Sequence, residues 1–160
     1  MLTPIYEAIR EHHLQSKYFQ AGETRWRVFT EKARKAGHHW WLCSFAGEDS
    51  VVLVLDSGRS HDVPQTHFGQ HAQGVLMVDR YSGYKAMDQV KQGDLVLAFC
   101  WTHVRRDFVR VGKGYPELTG WALGWLEQIR QLCHLNRQRL THPWDSVEFA
   151  EADLALRVHA

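Results

Sequence analysis

Residues 74–101 read GVLMVDRYSGYKAMDQVKQGDLVLAFCW, and this stretch decides the fold. Its ends, GVLMVD (74–79) and DLVLAFCW (94–101), are near-continuous apolar runs, the pattern of strands covered on both faces. Between them SGYKAMDQVKQG (82–93) reads as a helix stopped by Gly93. Strand, helix and strand in that order imply a right-handed crossover and a parallel pair.

Working towards the N-terminus, the period changes. YFQAGETRWRVF (18–29) alternates, with Thr24, Trp26 and Val28 on one side and Arg25 and Arg27 on the other, which marks a half-buried strand. TEKARKAG (30–37) is a polar, basic loop, and HHWWLCSFA (38–46) and SVVLVLDS (50–57) are two further strands joined by GEDS. Connections this short predict an antiparallel meander. RSHDVPQTHFGQH (59–71) holds a short helix, with Pro64 tolerated in its first turn. Residues 4–17 have a helical stripe of Ile5 and Ile9. From His103 to Leu140 the chain is helical apart from GKGYPE (112–117), and Trp121, Trp125, Ile129 and Leu132 form an apolar stripe. The expected architecture is therefore α/β: a mixed sheet of three antiparallel strands followed by two parallel ones, with flanking helices. That is the order of ribonuclease H-like folds, where metal-binding carboxylates sit on the first strand and on or just after the fourth. The expected division is an N-terminal helical segment (1–18), a core (19–140) and a weakly helical tail (141–160).

With 160 residues, 44% hydrophobic and 23% charged, the chain has the composition of one globular domain. No apolar run reaches the roughly 18 residues of a membrane span, and no signal peptide opens the sequence. Three widely spaced cysteines argue against a disulfide framework, so a cytoplasmic protein with reduced thiols is expected. A net charge of +1 does not itself mark a nucleic-acid binder.

Asp79 ends an apolar strand, where ligands of open sheets collect; the plain alternative is a cap for the helix starting near Ser82. Cys100 and His103 have the spacing of half a zinc site, but Cys133 and His134 are adjacent and cannot supply the other half. Arg105, Arg106, Arg110 and Lys113 are offset locally only by Asp107, so they form either a phosphate-holding patch or a solvated helix face. Glu23 is expected in solvent, and the pairs His12–His13 and His38–His39 are expected at the surface. No H-E-x-x-H, P-loop, Rossmann glycine pattern or G-x-S-x-G is present.

Taken together, Glu23-Thr24-Trp26, Trp40-Trp41, Arg59-Ser60, Asp79-Tyr81-Tyr84 and Cys100-His103-Arg106-Phe108 resemble, in order and type, the catalytic region of the insertion-sequence-66 family of bacterial transposases. The resemblance runs from about Phe19 to about Leu140. It implies an acidic-triad enzyme that cleaves and joins DNA by in-line displacement at phosphorus, using Mg²⁺ or Mn²⁺ held by carboxylates. It places Asp79 as the second carboxylate and a metal ligand, has Tyr81 and Tyr84 brace the turn behind it, and turns His103, Arg105, Arg106, Arg110 and Lys113 towards the DNA backbone.

Two departures shape the expectation. The family's first Asp is Gly22 here, and Glu23, the remaining catalytic candidate on that strand, points to the opposite face of a regular strand. The family's third carboxylate lies in an Asn-Asn-x-x-Glu-Arg segment that is absent; Glu148 and Glu151 do not match it. The chain is thus expected to be a truncated, inactive transposase core. The rival expectation is a non-catalytic remnant that binds DNA or a transposase through the basic patch, and self-association through uncovered apolar surface is a third.

Overall fold

The computed structural model describes residues 2–28, 38–69 and 72–159. It contains two compact units, Met1–Cys100 and Trp101–Ala160. The basic loop expected at 30–37 lies outside the described residues, as do the side chains of His38 and His39.

The first unit opens with α1 (Thr3–His13), followed by the strands β1 (Tyr18–Val28), β2 (His38–Ala46) and β3 (Val51–Asp56). Then come α2 (Asp62–Phe68), β4 (Gly74–Val78), α3 (Ser82–Lys85), α4 (Asp88–Gln92) and β5 (Leu95–Phe99). The strands form one sheet in the order β3-β2-β1-β4-β5. β1–β2 and β2–β3 are antiparallel, and β1–β4 and β4–β5 are parallel. This is the mixed α/β sheet of a ribonuclease H-like fold. The single crossover helix expected over 82–93 is two short helices, broken where Met87 is extended and buried in the core. Gly93 ends the second at φ 86°, a left-handed conformation that glycine adopts without a Cβ penalty.

One side of the sheet carries the core. Phe19, Phe45, Leu76 and Leu95 project from the strands onto Phe68 of α2, Tyr84 of α3 and Met87, with edge-to-face ring contacts at Phe19–Phe68 and Phe45–Phe68. Two expectations are corrected here. The buried side of β1 is the one bearing Phe19, Ala21 and Glu23, while Trp26 on the other side is 50% exposed. The runs in β4 and β5 are not covered on both faces either: Val75 and Val96 lie on the same outer side and are exposed. The helices of this unit cover one face, and the apolar character of the strands does not reveal that they leave the other uncovered.

His13 corrects a third expectation. Its side chain is fully buried, with Nδ1 3.3 Å from Ser50 Oγ and its ring packed on Phe19 and His67. His67 is likewise buried and stacks on Phe45 at 4.0 Å. His12 does lie at the surface, beside Asp49 at 2.9 Å.

The second unit is helical, with α5 (Trp101–Gly114), a 3₁₀ turn (Pro116–Leu118), α6 (Thr119–Arg139) and α7 (Val147–His159). Phe108 of α5 packs on Trp121 and Trp125 of α6, and Ala122 and Ile129 form the buried line of α6. Asp153 joins α7 to α6 through Arg139 at 2.5 Å and also holds Arg157 at 2.6 Å.

Candidate functional site

Asp79 stands just beyond β4 with its carboxylate 33% exposed. Its Oδ1 accepts the Tyr81 backbone N–H at 2.9 Å, so the side chain closes the Asp79–Tyr81 turn on itself. It does not cap α3, whose N-cap is Tyr81 without a side-chain cap bond. The turn is tight enough that a Cβ at Gly83 would strike the Tyr81 ring.

The residue that organises this corner is Arg59, in the loop after β3. Its Nε and Nη2 both donate to Glu23 Oε2, at 3.2 and 2.9 Å. The same Nη2 lies 3.8 Å from Asp79 Oδ2. The guanidinium sits over the Trp41 ring at 4.7 Å and the Tyr81 ring at 3.9 Å, two cation–π contacts. The Tyr81 hydroxyl donates to the Arg59 carbonyl. Burial works against the Arg59 charge, but the Glu23 hydrogen bonds and the nearby charges of Glu23 and Asp79 hold its pKa above the ordinary value.

Glu23 is not in solvent as expected: its side chain is only 6% exposed. No bulge turns it inward, because β1 pairs with β2 in unbroken register from Gln20↔Ala46 to Val28↔His38. It shares the core side with Phe19 because the two are four residues apart on one strand. The buried Tyr84 hydroxyl also bonds its carboxylate, and burial followed by Glu23 pushes the Tyr84 pKa far up. Cys43, opposite Glu23 on β2, is raised to about 11 by burial and then by the Glu23 and Asp56 charges. It is an inert thiol rather than a nucleophile.

Gly22 lies on the other side of the sheet. The β1–β4 register pairs Tyr18 with Val75 and Gln20 with Met77, and continuing it two residues brings Gly22 level with Asp79. A Cβ at Gly22 would meet nothing within 4 Å.

A divalent-metal centre of the kind an acidic-triad enzyme uses needs several carboxylate oxygens free to converge. Here both donor bonds of Arg59 fall on one Glu23 oxygen, Tyr84 holds the same carboxylate, and Asp79 spends Oδ1 on its own turn. Among the described residues no group of three or more His, Cys, Asp or Glu side chains could hold a metal ion. These residues do not fit a two-metal centre. A cleft of about 470 Å³ between α1, β3 and α2, lined in part by Glu7, Arg10, Asp56 and His67, is separate from this corner and contains neither Glu23 nor Asp79.

The basic candidates lie on α5, in the second unit. His103, Arg106, Arg110 and Lys113 recur at helical spacing and share one side. Arg105 points elsewhere and lines a groove with Leu126, Glu127 and Arg130 of α6. Arg110 pairs with Asp107 at 3.8 Å in an exposed ion pair, and His103 Nδ1 is buried without a hydrogen-bond partner. Cys43, Cys100 and Cys133 are free thiols.

Sequence reasoning did not foresee Arg59 or Trp41 as parts of the site, although both stand in the motifs that carried the resemblance. The signal was an Arg one loop away from two acidic strand positions, with aromatic residues at 41 and 81.

No curated protein matches this chain closely enough to count as a relative. No described helix is long and apolar enough to cross a membrane. The profile of the family described as Transposase IS66 family, an acidic-triad DNA transposase family, matches residues 1–158. With the mixed sheet in place and Asp79 just beyond its fourth strand, the chain belongs to the IS66 family of transposases.

Proposed function

We propose that this chain is a DNA-transposition domain disabled for phosphodiester cleavage and strand transfer. The observation that carries the reading is the Glu23–Arg59 pair. The one acidic side chain of β1 on the core side is bound to a guanidinium, and the position level with Asp79 is a glycine without a ligand atom. Asp79 is left as a single half-exposed carboxylate. One carboxylate leaves a hard divalent cation bound almost wholly by water, so the attacking and leaving oxygens have no fixed ion between them. Calorimetric titration with Mn²⁺ tests this. The expected result is no saturable binding below about millimolar Mn²⁺, a range set by sites with few charged ligands. Submillimolar binding that disappears in Asp79→Ala contradicts it.

A second reading, non-catalytic binding of DNA, is favoured by the stripe of Arg106, Arg110 and Lys113 on α5. Three cations on one helix side match the spacing of a phosphate backbone better than scattered charge does. The two readings are compatible, because holding DNA needs no metal centre.

A further inference from the structure

The side of the sheet facing away from the core has a composition that the disabled site does not account for. By register it carries Val51, Leu53 and Leu55 of β3 together with Tyr18 and Trp26 of β1. Val75 and Val96 continue it across β4 and β5. Leu53 is 56% exposed and Val96 59%, and the others are also in solvent. Every Asp, Glu, Lys and Arg within the five strands (Glu23, Arg25, Arg27 and Asp56) falls on the opposite side. At the centre of the side facing away from the core, Gln20, Gly22, Thr24 and Ser44 alternate with the half-buried Trp40, Leu42 and Met77.

We propose that this face is the docking surface for a second copy of the chain, packed sheet against sheet about a two-fold axis. The inference stands apart from the disabled-site reading and does not depend on it. Three observations select a copy over another partner. First, the exposed apolar side chains amount to on the order of 600 Å² per copy, about 1,200 Å² for two, which reaches the lower limit of stable interfaces. Apolar surface of this extent on one face is at the top of the range that soluble monomers leave exposed. Second, the described strand residues of this face carry no charge with which to select a different protein, and no cation that would draw them to a lipid surface. Third, a two-fold interface sets the same patch against itself, so like charges would meet; their complete displacement to the other side removes that repulsion. Gly22 and Ser44 keep the middle of the central strands low, which lets two twisted sheets approach to about 10 Å.

The test is the solution mass of the full chain by light scattering after size-exclusion chromatography, at roughly 50 μM, within the range where an interface of this size is populated. The wild type is expected at twice the 18.6 kDa of one chain, dissociating on dilution. Leu53→Lys and Val96→Lys, on the two edge strands, are each expected to give a monomer with an unchanged far-ultraviolet circular dichroism spectrum; if one fails to fold, the other decides. Leu154→Lys, at an exposed apolar position on α7, is expected to remain dimeric. A wild-type monomer overturns the proposal, whether the face is bare or covered within one chain. So does a polydisperse aggregate, a dimer untouched by both sheet variants, or one broken by Leu154→Lys alone.

Discussion

At the scale of single residues, Arg59 is the side chain on which the site turns. It neutralises a nearly buried Glu23, lies over two aromatic rings and reaches Asp79. Removing it leaves a carboxylate in the sheet interior without its counter-charge. Arg59→Ala should therefore lower the free energy of unfolding by about 3 kcal/mol, the low end for breaking a buried pair because Arg59 itself is partly solvated. Arg59→Lys should recover only part of this, since an ammonium cannot offer two parallel donors or a planar face to Trp41 and Tyr81. Urea denaturation of the three proteins measures both, and an Arg59→Ala protein as stable as wild type refutes the role given to the pair. Burial was the part that sequence could not reveal. A Glu in an alternating strand is usually outside, and only the count from Phe19 across an unbroken register puts Glu23 inside.

The buried imidazoles give the second prediction at this scale. Burial foremost, with the charges of His13 and Arg10, holds His67 down to about 3, and burial also lowers His13. An unfolded histidine takes up a proton near pH 6.5, so below that pH the unfolded chain binds protons that the folded chain refuses. Stability is whole above about pH 6.5 and falls as the pH drops towards 3. Between pH 7 and pH 5 His67 alone should remove about 2 kcal/mol. His67→Phe, which keeps a ring on Phe45, should flatten that slope in urea midpoints measured at pH 7, 6 and 5. A wild-type midpoint that does not move over this range contradicts the assignment.

At the scale of elements, the strands and their order were legible. Alternation, the short connections and the apolar–helical–apolar run at 74–101 name all five strands and their directions. Which face of each strand is covered was not, because an apolar run reads the same whether one or two layers pack on it. β4 and β5 show this: the runs predicted two covering layers, and Val75 and Val96 are in solvent. The helix break at Met87 escaped notice for a related reason, since Met87 is pulled into the core rather than kept on the helix face that its spacing suggests. On α5 the sequence gathered five basic or histidine positions into one patch, whereas helical geometry separates Arg105 from the stripe. That separation makes a prediction. In gel shifts across a salt series, Arg106→Glu combined with Arg110→Glu should weaken DNA binding at least tenfold and flatten its salt dependence, because two phosphate contacts are lost. Arg105→Glu should do much less. Equal effects from all three positions would mean that the stripe is not the contact surface.

At the scale of the whole molecule, the sequence carried the family and the fold, because its motifs are distributed over most of the chain in a fixed order. The glycine at position 22, where the resemblance expects a carboxylate, was equally legible. The structure adds that Glu23, the acidic residue of β1, is bound to an arginine. The central claim is that this domain does not carry out phosphodiester chemistry, and a cleavage assay tests it most directly. Supercoiled and short linear DNA should be incubated with the purified chain in Mg²⁺ and in Mn²⁺, and nicks and joined products counted against Asp79→Ala. The account predicts that wild type and Asp79→Ala are indistinguishable from the protein-free control. Metal-dependent nicking or strand joining by the wild type, abolished by Asp79→Ala, would contradict it.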